Sequence, residues 1–237
     1  LRGLVGSEMC IRDSSNSNLI RALGFLNPFF ILNHKVPQGL RIKNFLESLG
    51  PMFIKFGQLL STRTDVVPLG ITSYLRGLTD QCQSFPTHKA KQIIEDSLKI
   101  KIEDVFEDFE DEPLAAASLA QVHRARIKNT SEKVVVKVLR PGIHKKVRRN
   151  VRVMRAGGFL LKIFYKESER LRLKDVIDDY ERTIFKELDL KVEAANTTVT
   201  KKNFDNSDLL FIPKVFWDQT TVNAVSYTHL TLPTNVA

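Results

Sequence analysis

The stretch Val134-Val-Val-Lys-Val-Leu139 decides the fold, because it places a single lysine inside a run of apolar, mostly β-branched residues. Residues branched at Cβ favour strands, and Pro141-Gly142 ends the run with a turn signal. We therefore predict a central strand that carries Lys137. A lysine ammonium is costly to bury without a partner, so Lys137 needs either a nearby carboxylate or a sheet edge that faces water.

The segments around this strand place it third in a small sheet. Phe106 to Glu112 and Gln121 to Ile127 alternate apolar and polar residues, as half-buried strands do. From residue 141 to about Asn203 the apolar spacing is helical, with a break near Glu167 to Arg170, and Ile212 to Trp217 predicts one more strand. Three successive strands with a lysine in the third are the arrangement of a protein-kinase N-lobe.

Helices are predicted before the sheet. Apolar residues recur at helical spacing through residues 38–60, and Gly50-Pro51 divides this stretch into two helices. A further helix is predicted from about Thr87 to Ser97. Gly57 lies inside the second helix, where glycine is less favourable than alanine by about 1 kcal/mol. This position indicates either a close backbone approach or a merely tolerated glycine.

Charge is unevenly distributed along the 237 residues. Lys and Arg total 36 against 27 Asp and Glu, and residues 141–174, with eleven Lys and Arg and two acids, account for the whole net charge of +9. Such a segment suits binding to anionic lipid, nucleic acid or an acidic partner, and a solvated helix surface is the alternative.

No stretch approaches the roughly 18 apolar residues of a membrane span. Two cysteines without metal-binding spacing favour a reducing compartment.

Both ends of the chain differ from the rest. Residues 1–13 and about 225–237 resemble translated sequencing-adapter read-through, so they are left out of fold reasoning. We expect a helical extension over residues 14–105 and a kinase-like N-lobe over residues 106–222, with a helical insert at 141–174. We also expect that the gene continues beyond Ala237.

Three further motifs could carry chemistry. Ala115-Ala-Ala-Ser118 lies where kinases have a glycine-rich phosphate loop. Alanine enters the φ > 0 region less readily than glycine, so we expect a stiffer loop, although an alanine-rich helix start is the alternative. Lys55-Phe-Gly-Gln58 lies on the N-terminal helices. Glu187-Leu-Asp189 and Glu193 are predicted on one later helix, where Asp189 and Glu193 share a face.

Together, and in this order, these motifs resemble the UbiB (aarF-domain) family, from about residue 20 to about residue 222. The resemblance implies an α+β fold: a protein-kinase-like N-lobe with a small antiparallel sheet and a C-type helix, an N-terminal helical extension and a helical insert, with the C-lobe missing from this chain. The segments that carry the resemblance are Leu49–Arg63, Ala115–Ala125, Val134–Gly142, Glu187–Asp189 and Glu193–Asn196.

The resemblance implies ATP as the cofactor. Lys137 would contact ATP, and Glu193 would be its partner on the C-type helix. The family's alanine-rich nucleotide loop would be formed by Ala115, Ala116, Ala117 and Ser118.

The resemblance also assigns the remaining motif residues. Lys55 and Gln58 would belong to the family's signature motif, which covers the active site where a protein substrate would otherwise dock. Glu187 and Asp189 would be the acidic pair that meets Lys55.

Members of the family support ubiquinone biosynthesis, and ATPase or small-molecule kinase activity is expected of them. Neither H-R-D nor D-F-G occurs in this chain, so we expect no metal site here, Mg²⁺ ligands in the missing C-lobe, and no phosphoryl transfer by this polypeptide alone. The expected partners are nucleotide with anionic inner-membrane lipid or ubiquinone-pathway proteins, and not nucleic acid. The expected location is the cytoplasmic face of the bacterial inner membrane or, alternatively, the matrix side of the mitochondrial inner membrane.

Two other functions stay open on sequence alone. A non-catalytic module could bind anionic membrane or nucleic acid through the basic helices at 141–174. A conventional protein kinase is the second alternative, against which the alanine-rich loop and the Lys55 motif argue.

Overall fold

The computed structural model describes residues 36–65, 67–79, 82–164, 172–204 and 210–229. It confirms an α+β architecture in which helices accompany a small antiparallel sheet. The chain divides into two compact units. Leu1–Cys82 with Lys145–Arg182 form the first, and Gln83–His144 with Thr183–Ala237 form the second.

The structure confirms the helices predicted on either side of Gly50-Pro51 and from about Thr87. The break expected near Glu167 to Arg170 lies outside the described residues. No helix in the described ranges has the length and apolar character needed to cross a membrane. The helices are α1 (Gln38–Leu49), α2 (Pro51–Thr62), α3 (Leu69–Leu75), α4 (Thr87–Leu98), α5 (Ile102–Val105), α6 (Ile143–Phe164), α7 (Leu173–Glu187) and α8 (Leu190–Asn203). The strands are β1 (Phe106–Glu107), β2 (Ala115–Ala116), β3 (Ala120–Ile127), β4 (Lys133–Leu139) and β5 (Ala224–Tyr227).

The first unit contains α1, α2 and α3 together with most of α6 and part of α7. Gly50 has a φ of 99°, in the left-handed region that glycine tolerates, and this turn lets α2 begin at Pro51. Tyr180 of α7 donates a 2.8 Å hydrogen bond from its hydroxyl to the main-chain carbonyl of Met52. Its ring also meets that of Phe56 edge-on. These contacts bind α7 to α2.

The second unit contains the sheet, whose described strands all pair antiparallel. Their order is β1-β3-β4-β5, and β2 also pairs with β3. Alternate residues of β4 lie in a buried core with α4; these are Val134, Val136 and Val138. Because side chains alternate between the faces of a strand, Lys137 lies on the opposite face from this core.

The strand predicted at Ile212–Trp217 is wrong. In that stretch Val215 forms an isolated bridge with Tyr227, and the strand that borders β4 is Ala224–Tyr227. Pro213 has no N–H to donate to a ladder, whereas all four residues of β5 are buried. The sequence-based prediction therefore lacks this strand, because it leaves out the residues from about 225 onward. Their origin as read-through stays a prediction.

The single helix predicted for Glu187, Asp189 and Glu193 is also wrong. Helix α7 ends at Glu187, and Asp189 has the extended backbone of an N-cap residue, with φ −113° and ψ 96°. Its side chain accepts a 3.0 Å hydrogen bond from the amide of Lys191. Aspartate is among the preferred N-cap residues because its carboxylate satisfies an unpaired amide of the first turn, so a new helix begins here.

Candidate nucleotide-binding site

Lys137 and Glu193 form an ion pair in the second unit. The Nζ atom of Lys137 lies 2.7 Å from Oε2 and 2.9 Å from Oε1 of Glu193. Lys137 lies within β4, and Glu193 lies in the first turn of α8. The side chains are 32% and 35% exposed. The carboxylate thus offsets the cost of a lysine in an apolar strand, while about a third of each side chain remains accessible.

One short stretch of chain aligns both elements that carry the pair. The amide of Leu190, the first residue of α8, donates a 3.0 Å hydrogen bond to the carbonyl of Val222. The amide of Leu139, the last residue of β4, donates a 2.9 Å hydrogen bond to the carbonyl of Asn223. Because Val222 and Asn223 are adjacent, the start of α8 and the end of β4 share a single anchor.

Asp189 stabilises the end of the helix that presents Glu193. Its hydrogen bond to the Lys191 amide satisfies one of the otherwise unpaired N–H groups of the first turn. The N-terminal end of a helix carries partial positive charge and favours nearby carboxylates. Both Asp189 and Glu193 occupy that end of α8, so their negative charges lie where the partial positive charge of the helix is concentrated.

A cleft of about 660 Å³ lies beside α8. Glu187 and Glu193 both line it, so two of the acids singled out from the sequence face the same space. Lys186, Asn196 and Thr197 add polar side chains to the lining. This arrangement places two carboxylates next to donors that could orient a polar ligand.

Tyr227 extends the ion pair into a three-residue group. Its hydroxyl donates a 3.0 Å hydrogen bond to Oε1 of Glu193. Burial raises the pKa of Tyr227 above its usual value, and the negative charge of Glu193 raises it further. The phenol therefore stays protonated and can keep donating. Sequence reasoning misses Tyr227 because it lies in the tail left out of the fold, and the only available signal is that Val225 and Tyr227 favour a strand.

The alanine-rich motif forms a tight hairpin rather than a helix start. Ala115 and Ala116 form β2, which pairs with β3. The amide of Ala117 donates a 2.9 Å hydrogen bond to the carbonyl of Ala120, and the side chain of Ser118 is buried. None of the four motif residues has a positive φ, so the turn needs no glycine.

Arg140 holds this hairpin from the far end of β4. Its Nε and Nη2 atoms each donate a 2.7 Å hydrogen bond, to the carbonyls of Ala117 and Gln83 respectively. Its own amide donates to the carbonyl of Leu119 at 2.8 Å. The guanidinium also lies over the ring of Phe85, 5.7 Å from the centroid. The sequence offers only one signal for this role, an arginine placed directly before Pro141 at the strand end.

A buried polar pair supports the same hairpin. Oε1 of Gln121 accepts from the Phe85 amide at 3.0 Å, and Nε2 donates to the Phe85 carbonyl at 3.2 Å. Nε2 of Gln121 also lies 2.8 Å from Nε2 of His123, whose Nδ1 lies 2.9 Å from the Glu110 carbonyl. A carbonyl can only accept, so Nδ1 carries the proton and Nε2 accepts from Gln121. Burial lowers the pKa of His123, which agrees with this neutral tautomer.

Lys55 and Gln58 both lie on α2, in the first unit. Gln58 donates a 3.1 Å hydrogen bond from Nε2 to the carbonyl of Leu78, and Lys55 is half-buried. The predicted contact of Lys55 with Glu187 and Asp189 stays a prediction. Within the described ranges, no group of three or more His, Cys, Asp or Glu side chains could hold a metal ion.

Comparison with known proteins identifies the family to which this chain belongs. The chain is 43% identical over 202 residues to a protein of Azotobacter vinelandii named probable protein kinase UbiB, covering 84% of this chain and 37% of that protein. Proteins with the same name from Marinobacter nauticus and Pseudomonas aeruginosa are 45% and 44% identical, over 186 and 202 residues. These two matches cover 78% and 84% of this chain, and 34% and 38% of the relatives. The chain thus spans little more than a third of the length of the curated relatives it matches.

A solved structure supports the fold. The complex of Rv3197 with erythromycin from Mycobacterium tuberculosis matches with a TM-score of 0.53 and 22% identity, over 91% of this chain and 50% of that one. At this identity the likeness concerns the fold alone. The relatives named UbiB confirm the resemblance stated from the sequence motifs. Since residues 77–229 match the ABC1 atypical kinase-like domain, the chain belongs to the ABC1 atypical kinase-like family.

Proposed function

We propose that this chain supplies the nucleotide-binding N-lobe of an atypical kinase or ATPase, and that Lys137 binds the phosphates of ATP. The observation that carries the proposal is the Lys137–Glu193 ion pair, in which a strand lysine is held by both oxygens of a helix carboxylate. A lysine so placed is the group that contacts ATP phosphates in kinases. The partial exposure of both side chains leaves the ammonium accessible to an anion.

The residues of this lobe would bind and orient the nucleotide. The Lys137 ammonium would neutralise phosphate charge, and Glu193 would fix its position. The hairpin from Ala115 to Ser118, held by Arg140, would limit where the phosphates can lie. When bound, ATP would supply the phosphoryl group. Mg²⁺ ligands are proposed to lie in a downstream lobe of the full-length protein.

The whole protein is proposed to support ubiquinone biosynthesis, acting as an ATPase or a small-molecule kinase at the cytoplasmic face of a bacterial inner membrane. The UbiB name of the bacterial relatives supports this role. The share of those relatives that the chain covers supports the proposal that the chain is part of a longer protein. The matrix side of the mitochondrial inner membrane is the alternative location.

The test is the affinity of the full-length protein for ATP, measured by isothermal titration calorimetry. We expect Lys137→Ala to weaken binding at least about tenfold, because a charge-assisted contact to phosphate contributes roughly 1.5–3 kcal/mol. Lys133→Ala is the matched control, since Lys133 begins the same strand and is exposed. ATP affinity that is unchanged in Lys137→Ala contradicts the proposal.

A further inference from the structure

Helix α6 presents one continuous exposed face to solvent. The residues of this face are three or four positions apart, which places them on the same side of an α-helix, and they extend over about 27 Å of its length. All of them are exposed; they are Lys145, Arg149, Arg152, Ala156, Phe159 and Ile163. The opposite side of α6 is buried through Val147, Val151 and Met154, so the exposed face is fixed outward.

The two halves of this face differ in chemistry. The first half is basic, with Arg148 beside Lys145, Arg149 and Arg152, all exposed. The second half is apolar: Phe159 is 65% exposed, Ile163 57% and Leu160 40%. Among the described residues of the first unit, the other large apolar side chain of comparable exposure is Leu69, on α3. In the described part of this unit, the exposed apolar surface is therefore concentrated at one end of one helix.

Of the seven basic residues of α6, four lie in or beside the first half of this face. Arg155 lies to the side, where its Nη2 atom is 2.8 Å from Asp178 and 2.5 Å from Glu181 of α7, so its charge is locally neutralised. The basic residues of the first half point away from the buried side that packs within the unit. They are therefore positioned to act on an external anionic surface.

We propose that this face of α6, from Lys145 to Ile163, docks on an anionic lipid bilayer. Basic side chains near a membrane surface are attracted by acidic headgroups, and exposed phenylalanine, leucine and isoleucine gain free energy by entering the boundary of the acyl region. A nucleic acid would use the basic half but gives no comparable gain to the aliphatic side chains of Leu160 and Ile163. The inference rests on the membrane location proposed above and adds the surface that makes the contact.

The test is flotation of the full-length protein with vesicles of phosphatidylcholine, with and without one third phosphatidylglycerol. We expect binding to the acidic vesicles, weakened as the salt concentration rises from about 0.1 M to about 1 M because screening shortens the Debye length. The double variant Arg149→Ala with Arg152→Ala should lower the partition coefficient about 30-fold, because each basic residue near an acidic membrane surface contributes about 1 kcal/mol to binding. Phe159→Ser with Ile163→Ser should lower it at least about tenfold.

Matched controls lie on other helices. Lys89→Ala with Lys202→Ala removes two exposed basic residues of α4 and α8, and Leu69→Ser removes an exposed apolar residue of α3. Both controls should float like the unmodified protein. Equal losses in the controls, equal binding to neutral vesicles, or no binding to acidic vesicles would overturn the docking surface. So would salt-sensitive DNA binding without lipid preference, or a dimer in solution that Phe159→Ser with Ile163→Ser dissociates.

The outcome is separable from that of the nucleotide test. Lys137→Ala should float normally while losing ATP affinity, and the α6 variants should keep ATP affinity while losing flotation. Absence of binding to acidic vesicles therefore overturns the membrane location together with the docking surface, whereas normal flotation of the α6 variants overturns the docking surface alone. Retained ATP affinity in Lys137→Ala overturns nucleotide binding alone.

Discussion

Arg140 donates a 2.7 Å hydrogen bond from Nε to the main-chain carbonyl of Ala117, so the residue that follows β4 holds the turn of the alanine-rich hairpin. The same guanidinium binds the carbonyl of Gln83. A planar guanidinium can serve two acceptors in fixed directions, whereas a lysine ammonium at the same position is a point donor.

We predict that Arg140→Ala lowers the free energy of unfolding by about 1–2 kcal/mol, because two charge-assisted hydrogen bonds are lost at a partly exposed site. Amide exchange at Ala117, whose N–H donates to Ala120, should accelerate, and ATP affinity should fall. Arg140→Lys should restore only part of each effect. Exchange at Ala117 that stays at the wild-type rate in Arg140→Ala would show that the hairpin does not depend on the arginine.

A double-mutant cycle on Lys137 and Glu193 should give a coupling energy of about 1 kcal/mol, at the upper end for partly exposed pairs. The measurement is chemical denaturation of the wild type, the two single alanine variants and the double variant. Lys91 and Asp111 are the control pair, with an N–O distance of 2.9 Å but an aspartate that is 83% exposed. Their coupling should be a few tenths of a kcal/mol. Equal coupling in the two pairs would contradict the special position of Lys137 and Glu193.

Stability should decrease in acid because of His123. Its pKa is lowered in the folded state, first of all by burial, so the unfolded chain binds a proton that the folded one does not. The stability is therefore fully present above the unfolded pKa of about 6.5 and falls below it, by up to about 1.4 kcal/mol per pH unit from this group. Thermal unfolding at about pH 7.5 and about pH 5.5 measures this loss. His123→Gln should flatten the pH dependence, and His88→Gln, at an exposed position, is the control for the same change of residue type.

Gly57→Ala should destabilise the protein even though alanine is the better helix former. A Cβ atom at Gly57 would lie 2.7 Å from Cδ1 of Leu46 and would also meet Cδ1 of Leu78. Overpacking costs about 1–3 kcal/mol, against about 1 kcal/mol gained in helix propensity. Gly157 lies in α6 with open space around it, so Gly157→Ala should stabilise by up to about 1 kcal/mol. Denaturant midpoints compare the two variants, and stabilisation by Gly57→Ala would contradict the packing argument.

Asp189→Ala should cost about 1 kcal/mol of stability through loss of the N-cap. Asp189→Asn keeps an oxygen that can accept from the Lys191 amide, so its free energy of unfolding should stay close to that of the wild type. ATPase activity of the full-length protein separates the two uses of this residue. If Asp189→Asn is stable but inactive, the charge of Asp189 serves the active site as well as the helix.

Local patterns predict the helices and the lysine strand well, because their signals are short-range. The Gly50-Pro51 boundary and the β-branched run around Lys137 each specify structure within a few residues. Gly57 is correctly singled out, but the neighbours that crowd it are leucine side chains rather than a backbone. Side-chain contacts of this kind depend on residues distant in sequence.

The wrong strand, the wrong single helix and the missed arginine each have a different physical cause. Both Ile212–Trp217 and Ala224–Tyr227 could pair with β4, and backbone hydrogen bonding favours the second because Pro213 lacks a donor. The break between Glu187 and Asp189 is missed because the apolar spacing continues across it, and the one local signal is Asp189 itself, a preferred N-cap residue. Arg140 is missed because its partners are main-chain carbonyls, which leave no trace in side-chain patterns.

The shared anchor at Val222 and Asn223 has an evolutionary consequence. Lys137 and Glu193 are separated by 56 residues, yet the elements that carry them are aligned by one dipeptide bound to both. The length of the chain between the two residues can therefore change without changing the geometry of the ion pair. We expect lineages of this family to gain or lose helical turns between β4 and Asp189 without disturbing the lysine and its carboxylate, so that this segment can diversify while the pair is retained.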